Sequence, residues 1–406
     1  MSLHHIPFPQ ASELIARHTA PLEVVSLPHN EAQDHVLARD VLTHHAYPDV
    51  KKAAVDGFAI SEEDRLNGVR HFTVQEQVGA GHRFSTTLTS GKAIHVMTGA
   101  EVPENSGFVV RVEDAVQEGD HIALSQEYGS QENICQPGEE AHGEDIALKA
   151  GTWLNWARMP LIHYLGATHL SVYRKPRVGI IVTGDELLES HSPHQRGKVR
   201  NTNQYTAQYI LQAMGIPCTS YGMVQDSREQ IATTIRLAME ECDVVLTSGG
   251  VSMGKYDFVK PIFQSLDVNL HFTRTAIRPG GPLLFASRGK QVLFGLPGYP
   301  SAFFTVMLVY VVPALKRIMG RPDHHPVEVD VELDNDMRSR QGHLVFNRAN
   351  FDLVNGHWHA RGGENQKSSH FIPFANADGL VIFPEDIGNA PRGTRLRGMP
   401  FALQLL

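Results

Sequence analysis

Three short stretches set glycine beside acids, hydroxyls or prolines at the ends of apolar runs. They are Thr183-Gly184-Asp185-Glu186, Ser248-Gly249-Gly250 and Leu296-Pro297-Gly298-Tyr299-Pro300-Ser301. Glycine lets backbone N–H groups come close to an anion, and a following helix N-terminus adds positive potential. A phosphate-bearing ligand therefore suits these loops. No GxxxxGK[ST] and no GxGxxG occurs in them, so neither a P-loop nor a dinucleotide fingerprint is present. Acids crowd the same regions: Asp185, Glu186, Asp226 and Asp257. Carboxylates repel a phosphate unless a divalent cation bridges them, and oxygen-only ligands suit Mg²⁺. Each acid alone also fits a helix N-cap or a solvated loop charge, and Asp226 fits a plain N-cap.

Such residues need a scaffold. The chain has 406 residues, too many for one core at roughly 150 residues per domain. Its net charge of −8 and pI near 6.3 argue against a nucleic-acid binder held by a basic face. The 3 cysteines, Cys135, Cys218 and Cys242, have no CxxC spacing and read as reduced thiols. Among the 23 histidines, His4-His5, His44-His45 and His324-His325 are adjacent pairs and His191 and His194 lie in a Pro-containing loop, and none of these is expected to bind metal. No signal-peptide pattern opens the chain, so a cytoplasmic location is expected, with no membrane and no nucleic-acid partner. The apolar run Ala302 to Leu315 reads as a buried helix.

Residues 12–18 suggest a short helix. From about 50 to 140, runs such as HFTVQEQV, KAIHVM, FVVRVEDA and HIAL suggest a small β domain. Ala157 to Leu165 has helical spacing, closed by Gly166. From about 176 to 322 strands and helices alternate, which predicts a largely parallel sheet with helices on both faces. There NQYTAQYILQAM reads as a helix stopped by Gly215, and Asp226-Ser227-Arg228-Glu229 as a capping-box start. Beyond Arg321-Pro322 the runs VEVDVEL, HLVFNRA, GLVIFP and ALQLL read as strands. The predicted organisation is multi-domain α/β plus β. A mixed linker domain takes 1–47 and 142–174, a β-rich domain 48–141, a doubly wound α/β domain 175–323, and a small β-barrel 324–406.

Taken in order, several segments resemble the MoeA/gephyrin family of molybdopterin molybdenumtransferases. They are Ala54-Val-Asp-Gly-Phe-Ala59, Met97-Thr-Gly-Ala100, Thr183-Gly-Asp-Glu186, Asn201-Thr-Asn203, Ser248-Gly-Gly-Val-Ser252 with Asp257, Arg278-Pro-Gly280 and Leu296-Pro-Gly-Tyr-Pro300. Weaker matches are Phe346-Asn-Arg348, and Ser368 ahead of Ala377-Asp-Gly-Leu380. The resemblance implies a homodimer whose cleft lies between the α/β domain of one subunit and the β-rich domain of the other. It implies that adenylylated molybdopterin and molybdate react with Mg²⁺ assistance, releasing AMP and leaving molybdenum on the dithiolene sulfurs. By motif match, Asp56, Thr98 and Glu186 resemble the reaction-centre residues, joined by Glu140. Asp226 and Asp257 resemble further site acids suited to the metal. Substrate contacts fall to Thr183, Gly184, Asp185, Asn203, Ser248, Gly249, Gly250, Ser252, Pro297, Gly298, Pro300 and Ser301. Arg278, Arg348 and Ser368 are oxyanion candidates. Transient contact with other cofactor-biosynthesis proteins or acceptor enzymes is also implied.

The chain departs from the family pattern at two places. Arg278-Pro-Gly-Gly281-Pro282 stands where the family often has Lys-Pro-Gly-Lys-Pro, so Gly281 carries no cation. Cys135 and Gln136 stand where basic residues are usual, and Glu140 stands where the family has Asp. An intact Gly143-Glu-Asp145-Ile146 follows; counted back from Gly151-Thr152, the family spacing favours Glu140 as the equivalent, with Asp145 a decoy or a shifted substitute. Two further readings stay open: a non-catalytic or altered-substrate paralogue, and a molybdopterin adenylyltransferase.

Overall fold

The computed structural model describes residues 5–129, 132–251, 257–363, 365–374 and 376–405. The chain forms two compact units, one from residues 1–39 and 150–406 and the other from residues 40–149.

The larger unit is organised on a six-stranded sheet. Its strands run in the order Cys218–Val224, Val178–Thr183, Val244–Ser248, Gln291–Leu296, Pro282–Arg288 and Asn269–Arg274. The first four are mutually parallel, and the last two add antiparallel. Val178–Thr183 and Val244–Ser248 are buried along their whole length. Both faces are covered, which explains apolar runs without alternation. Val178, Ile180, Val244, Leu246 and Phe294 pack with helix Asn203–Ala213 and the helical segment Pro300–Ile318. Ile181, Val245 and Leu293 face helices Arg228–Glu241 and Val259–Ser265.

Local chemistry sets the helix ends. Gly215 takes a φ of 62° and its N–H donates to the Gln212 carbonyl, while the Ile216 N–H returns to that of Leu211. This is a glycine stop of the Schellman kind. The start of Arg228–Glu241 differs from the sequence expectation. Ser227 is the N-cap, its hydroxyl accepting from the Gln230 N–H at 3.4 Å. Asp226 instead trades backbone hydrogen bonds with Asp185: each carboxylate accepts from the other's N–H, at 3.4 and 3.1 Å. The segment Pro300–Ile318 is long and apolar enough to cross a membrane, yet most of it is buried inside the protein.

A second six-stranded sheet closes on itself, because Leu344–Val354 pairs with both His357–Gly362 and Gly379–Phe383. Val331, Leu333, Val345, Phe351, Val381 and Phe383 fill it. The run ALQLL is not a strand. After Arg395–Pro400 the chain turns through a 3₁₀ turn at Phe401–Leu403, and Gln404 donates to the carbonyls of Val327 and Pro400. His357–Gly362 and Arg395–Pro400 are the strands that the sequence runs left out.

The smaller unit is also built on six strands, in the order Ser106–Arg111, Gly57–Ser61, Lys92–Val96, His71–Val78, His121–Leu124 and Ala115–Glu118. Alternate side chains separate into two clusters, one with Ala59, Ile94 and Val109, the other with Phe58, Ile60 and Phe108.

Candidate functional site

The four parallel strands of the large sheet end at Val224, Thr183, Ser248 and Leu296. The loops that follow line one cleft of about 1240 Å³. Ligands of open α/β sheets bind at this edge. Thr183, Gly184, Glu186, Asn203, Asp226, Ser248, Gly249, Gly250 and Asp257 line it, together with Arg278, Pro297, Gly298, Pro300 and Ser368. Every lining residue belongs to the larger unit.

Asn203 ties the loops together. Its side-chain N–H₂ donates to the Ser248 hydroxyl at 2.7 Å and to the Gly298 carbonyl at 2.9 Å. Its carbonyl oxygen is buried with no hydrogen-bond partner among the described residues. Gly249 has a φ of 94°, and a Cβ there would lie 2.7 Å from the Thr183 carbonyl oxygen. Glycine is thus required twice over, by backbone conformation and by space. The Gly249 N–H donates to Leu296 at 3.1 Å, which seats the Ser-Gly-Gly turn on the neighbouring strand.

The acids behave unequally. Burial pushes the Asp226 carboxyl above its ordinary value, and the charges of Asp185, Glu186 and Asp257 add to this. Asp185 does not line the cleft. Among the described residues no cluster of three His, Cys, Asp or Glu side chains could hold a metal unaided. Mg²⁺ commonly takes one or two carboxylates and completes its shell with water and substrate phosphate. Asp226 and Asp257, two carboxylates close enough for the charge of one to act on the other, fit that pattern.

The oxyanion candidate Arg348 and the substrate-contact candidate Ser301 sit behind the cleft wall. The buried Arg348 guanidinium donates to the carbonyls of His370 at 2.6 Å, Asn365 at 2.7 Å and Lys367 at 3.3 Å, and lies 5.0 Å from the Phe374 ring centre. It does not reach the cleft; it holds the 365–370 loop that presents Ser368. Ser301 is likewise buried and gives its hydroxyl to the Ser368 carbonyl. Ser252 lies outside the described residues.

Sequence reasoning missed Lys198, Arg274, Arg340, His5 and His343, all of which line the cleft, as does Arg200. Positive charge is therefore plentiful despite Gly281. No local signal marks these residues. His5 and Arg340/His343 arrive through pairings of Ile6 with Thr275 and of Ile277 with Leu344.

The remaining candidates lie in the smaller unit. One oxygen of Asp56 accepts from both the N–H and the hydroxyl of Thr98, each at 2.7 Å. These bonds hold the carboxyl below its ordinary value. Glu140 is exposed, and its N–H donates to the Tyr47 carbonyl at 2.9 Å. Asp145 accepts from the His142 N–H at 2.7 Å, a local turn contact.

Comparison with known proteins covers nearly the whole chain. Residues 6–166 match the MoeA N-terminal region (domain I and II), and residues 330–401 the MoeA C-terminal region (domain IV). Residues 179–317 match the family described as a probable molybdopterin binding domain. A molybdopterin molybdenumtransferase of Staphylococcus epidermidis is 30% identical over 379 residues, covering 92% of this chain and 90% of that protein. A Staphylococcus aureus protein of the same name is 28% identical over 383 residues, covering 93% and 91%. The crystal structure of a molybdopterin biosynthesis moeA protein from Pyrococcus horikoshii OT3 superposes with a TM-score of 0.83 at 29% identity, covering 98% of this chain and 100% of that one.

Proposed function

The chain belongs to the MoeA family of molybdopterin molybdenumtransferases, and from that premise we propose that it inserts molybdate into adenylylated molybdopterin with release of AMP. The observation that carries this reading is the convergence of the Thr183, Ser248–Gly250 and Pro297–Gly298 loops on one cleft, cross-linked by Asn203. Backbone donors freed by glycine suit a pterin phosphate there. The basic residues Lys198, Arg200, Arg274, Arg278 and Arg340 suit an anionic partner substrate in the same cleft.

Asp226 and Asp257 would hold Mg²⁺, which when bound would neutralise charge developing on the cleaved phosphoanhydride, with Glu186 beside them in the cleft as a reaction-centre acid. Asp226 favours this role because burial and neighbouring carboxylates leave its anion in want of a counter-charge. In this reading the protein works as a homodimer, and Asp56 with Thr98 of one subunit serves the cleft of the other. Asp56 stays ionised under the two Thr98 hydrogen bonds and orients the attacking nucleophile or accepts its proton. Arg348 acts as a positioning residue for the Ser368 loop.

The test is AMP release from adenylylated molybdopterin by the purified protein with Mg²⁺, with and without molybdate. Molybdate-dependent release that EDTA stops is the expected result. Binding of the adenylylated pterin without release, at any molybdate concentration, would replace the transferase by a carrier or by an enzyme for another oxyanion.

A further inference from the structure

The basic side of the cleft is organised around one loop, 274–282, held by segments from distant parts of the chain. Ile6 pairs with Thr275; its N–H donates to the Arg274 carbonyl at 3.1 Å, and its carbonyl accepts from Ala276 at 2.8 Å. Across the same loop the Thr275 N–H donates to the Gly281 carbonyl at 2.9 Å. Ile277 and Arg278 pair with Leu344 and Val345. These pairings deliver one histidine from each side, His5 and His343, to the cleft. Their rings meet edge to face with centres 6.3 Å apart. Nδ1 of His343 is buried with no hydrogen-bond partner among the described residues, so Nε2 is the ring's remaining hydrogen-bonding atom. Among the described residues, the neighbouring Arg274, Arg278 and Arg340 take part in no ion pair.

Unpaired guanidinium groups and two imidazoles in one concave wall want an anion with several acceptor atoms. We propose that His5 and His343 are specificity-determining residues of a tetrahedral-oxyanion subsite, supplying with Arg278 the donors that Gly281 lacks. The N-terminal segment is then part of the substrate site. The inference rests on the transferase reading for the identity of the oxyanion, which is either free molybdate or a phosphate of the adenylylated pterin. Molybdate and phosphate share the tetrahedral array of oxygen acceptors that such donors recognise.

The full-length protein and its His5→Leu and His343→Leu variants, which delete the ring donors, are titrated with sodium molybdate alone, and separately with adenylylated molybdopterin alone. Each variant is expected to weaken one of the two ligands roughly tenfold and the other less than about twofold. A shift confined to molybdate assigns the subsite to molybdate, and one confined to the pterin assigns it to the pterin's phosphate. His343→Arg, which restores a donor, is expected to recover most of the lost affinity; a purely structural role would give no such rescue. Unchanged affinities, or equal losses of both ligands without rescue, overturn the inference. Wild-type AMP release is measured alongside: its absence with the selective binding losses intact would sink the transferase reading and leave the subsite standing.

Discussion

Thr98 holds Asp56 through a single carboxylate oxygen, giving it both an amide and a hydroxyl hydrogen at 2.7 Å. Two donors on one oxygen favour the ionised form, so Asp56 keeps its charge below the usual carboxylate range. Thr98→Val removes the hydroxyl and retains the amide. The carboxyl then rises toward its ordinary value, and the acid limb of the kcat profile moves to higher pH. We expect kcat at neutral pH to fall by about tenfold, and Asp56→Asn to lower it by roughly a hundredfold or more with pterin affinity kept. Equal loss of binding in Asp56→Asn would make Asp56 a ligand-placing group.

Asn203 predicts a different pattern. Asn203→Ala leaves the Gly298 carbonyl and the Ser248 hydroxyl without their donor, a penalty of about 1–3 kcal/mol. Because both partners are loop atoms of the cleft, molybdopterin affinity should fall by roughly tenfold. Calorimetric titration reads this directly, and an unchanged Kd would mean that the loops hold their form without the cross-link.

Gly249→Ala should cost pterin binding outright. The new Cβ meets the Thr183 oxygen at 2.7 Å, and the backbone stays at a positive φ. Strain of about 1–3 kcal/mol is expected at such a residue. Gly289→Ala is the matched control, with a φ of 59° and no atom within 4 Å. It should lower the Tm and leave binding alone. If both variants bind normally, the Ser-Gly-Gly turn does not cradle the ligand.

Arg348 separates charge from geometry. A lysine there keeps the cation and loses the planar fork that reaches the carbonyls of Asn365, Lys367 and His370. Arg348→Lys should therefore raise KM nearly as much as Arg348→Met, by about tenfold. Retention of wild-type KM in the lysine variant would indicate direct contact with an anion.

The loops at 183–186, 248–250 and 296–301 could be read from the sequence because each is a local event: an apolar strand ending in glycine. Four of the six sheet strands of the smaller unit were legible as short apolar-rich runs; Gly57–Ser61, whose buried run is short and opens in the Ala54–Ala59 motif, and Ala115–Glu118, which the run FVVRVEDA reaches only at its last residue, were not. What local pattern does not carry is direction and distance. Phe346-Asn-Arg348 gave the right residue type and no hint that the guanidinium turns toward backbone carbonyls. Arg274, Arg340, His5 and His343 gather through pairings between residues far apart in the chain, which no spacing rule reveals. Asp226 lost the N-cap to Ser227 because a hydroxyl one position later serves the Gln230 N–H while Asp226 pairs with Asp185.

Where the chain leaves the larger unit and where it returns, it runs side by side. The Leu37 N–H donates to the Thr152 carbonyl at 2.9 Å, the Gly151 N–H donates back to Leu37 at 2.7 Å, and Val36 bridges Trp153. The smaller unit is thus an insertion between adjacent antiparallel ends, which a short turn could join in its place. Every residue of the cleft lies in what such an excision would keep. On the proposed function the chain is in effect a receptor with a removable cassette: the cleft is encoded in the frame, and Asp56 and Thr98 travel with the insert. Grafting a foreign insert at this seam is a route to proteins that hold the same pterin and act on it differently.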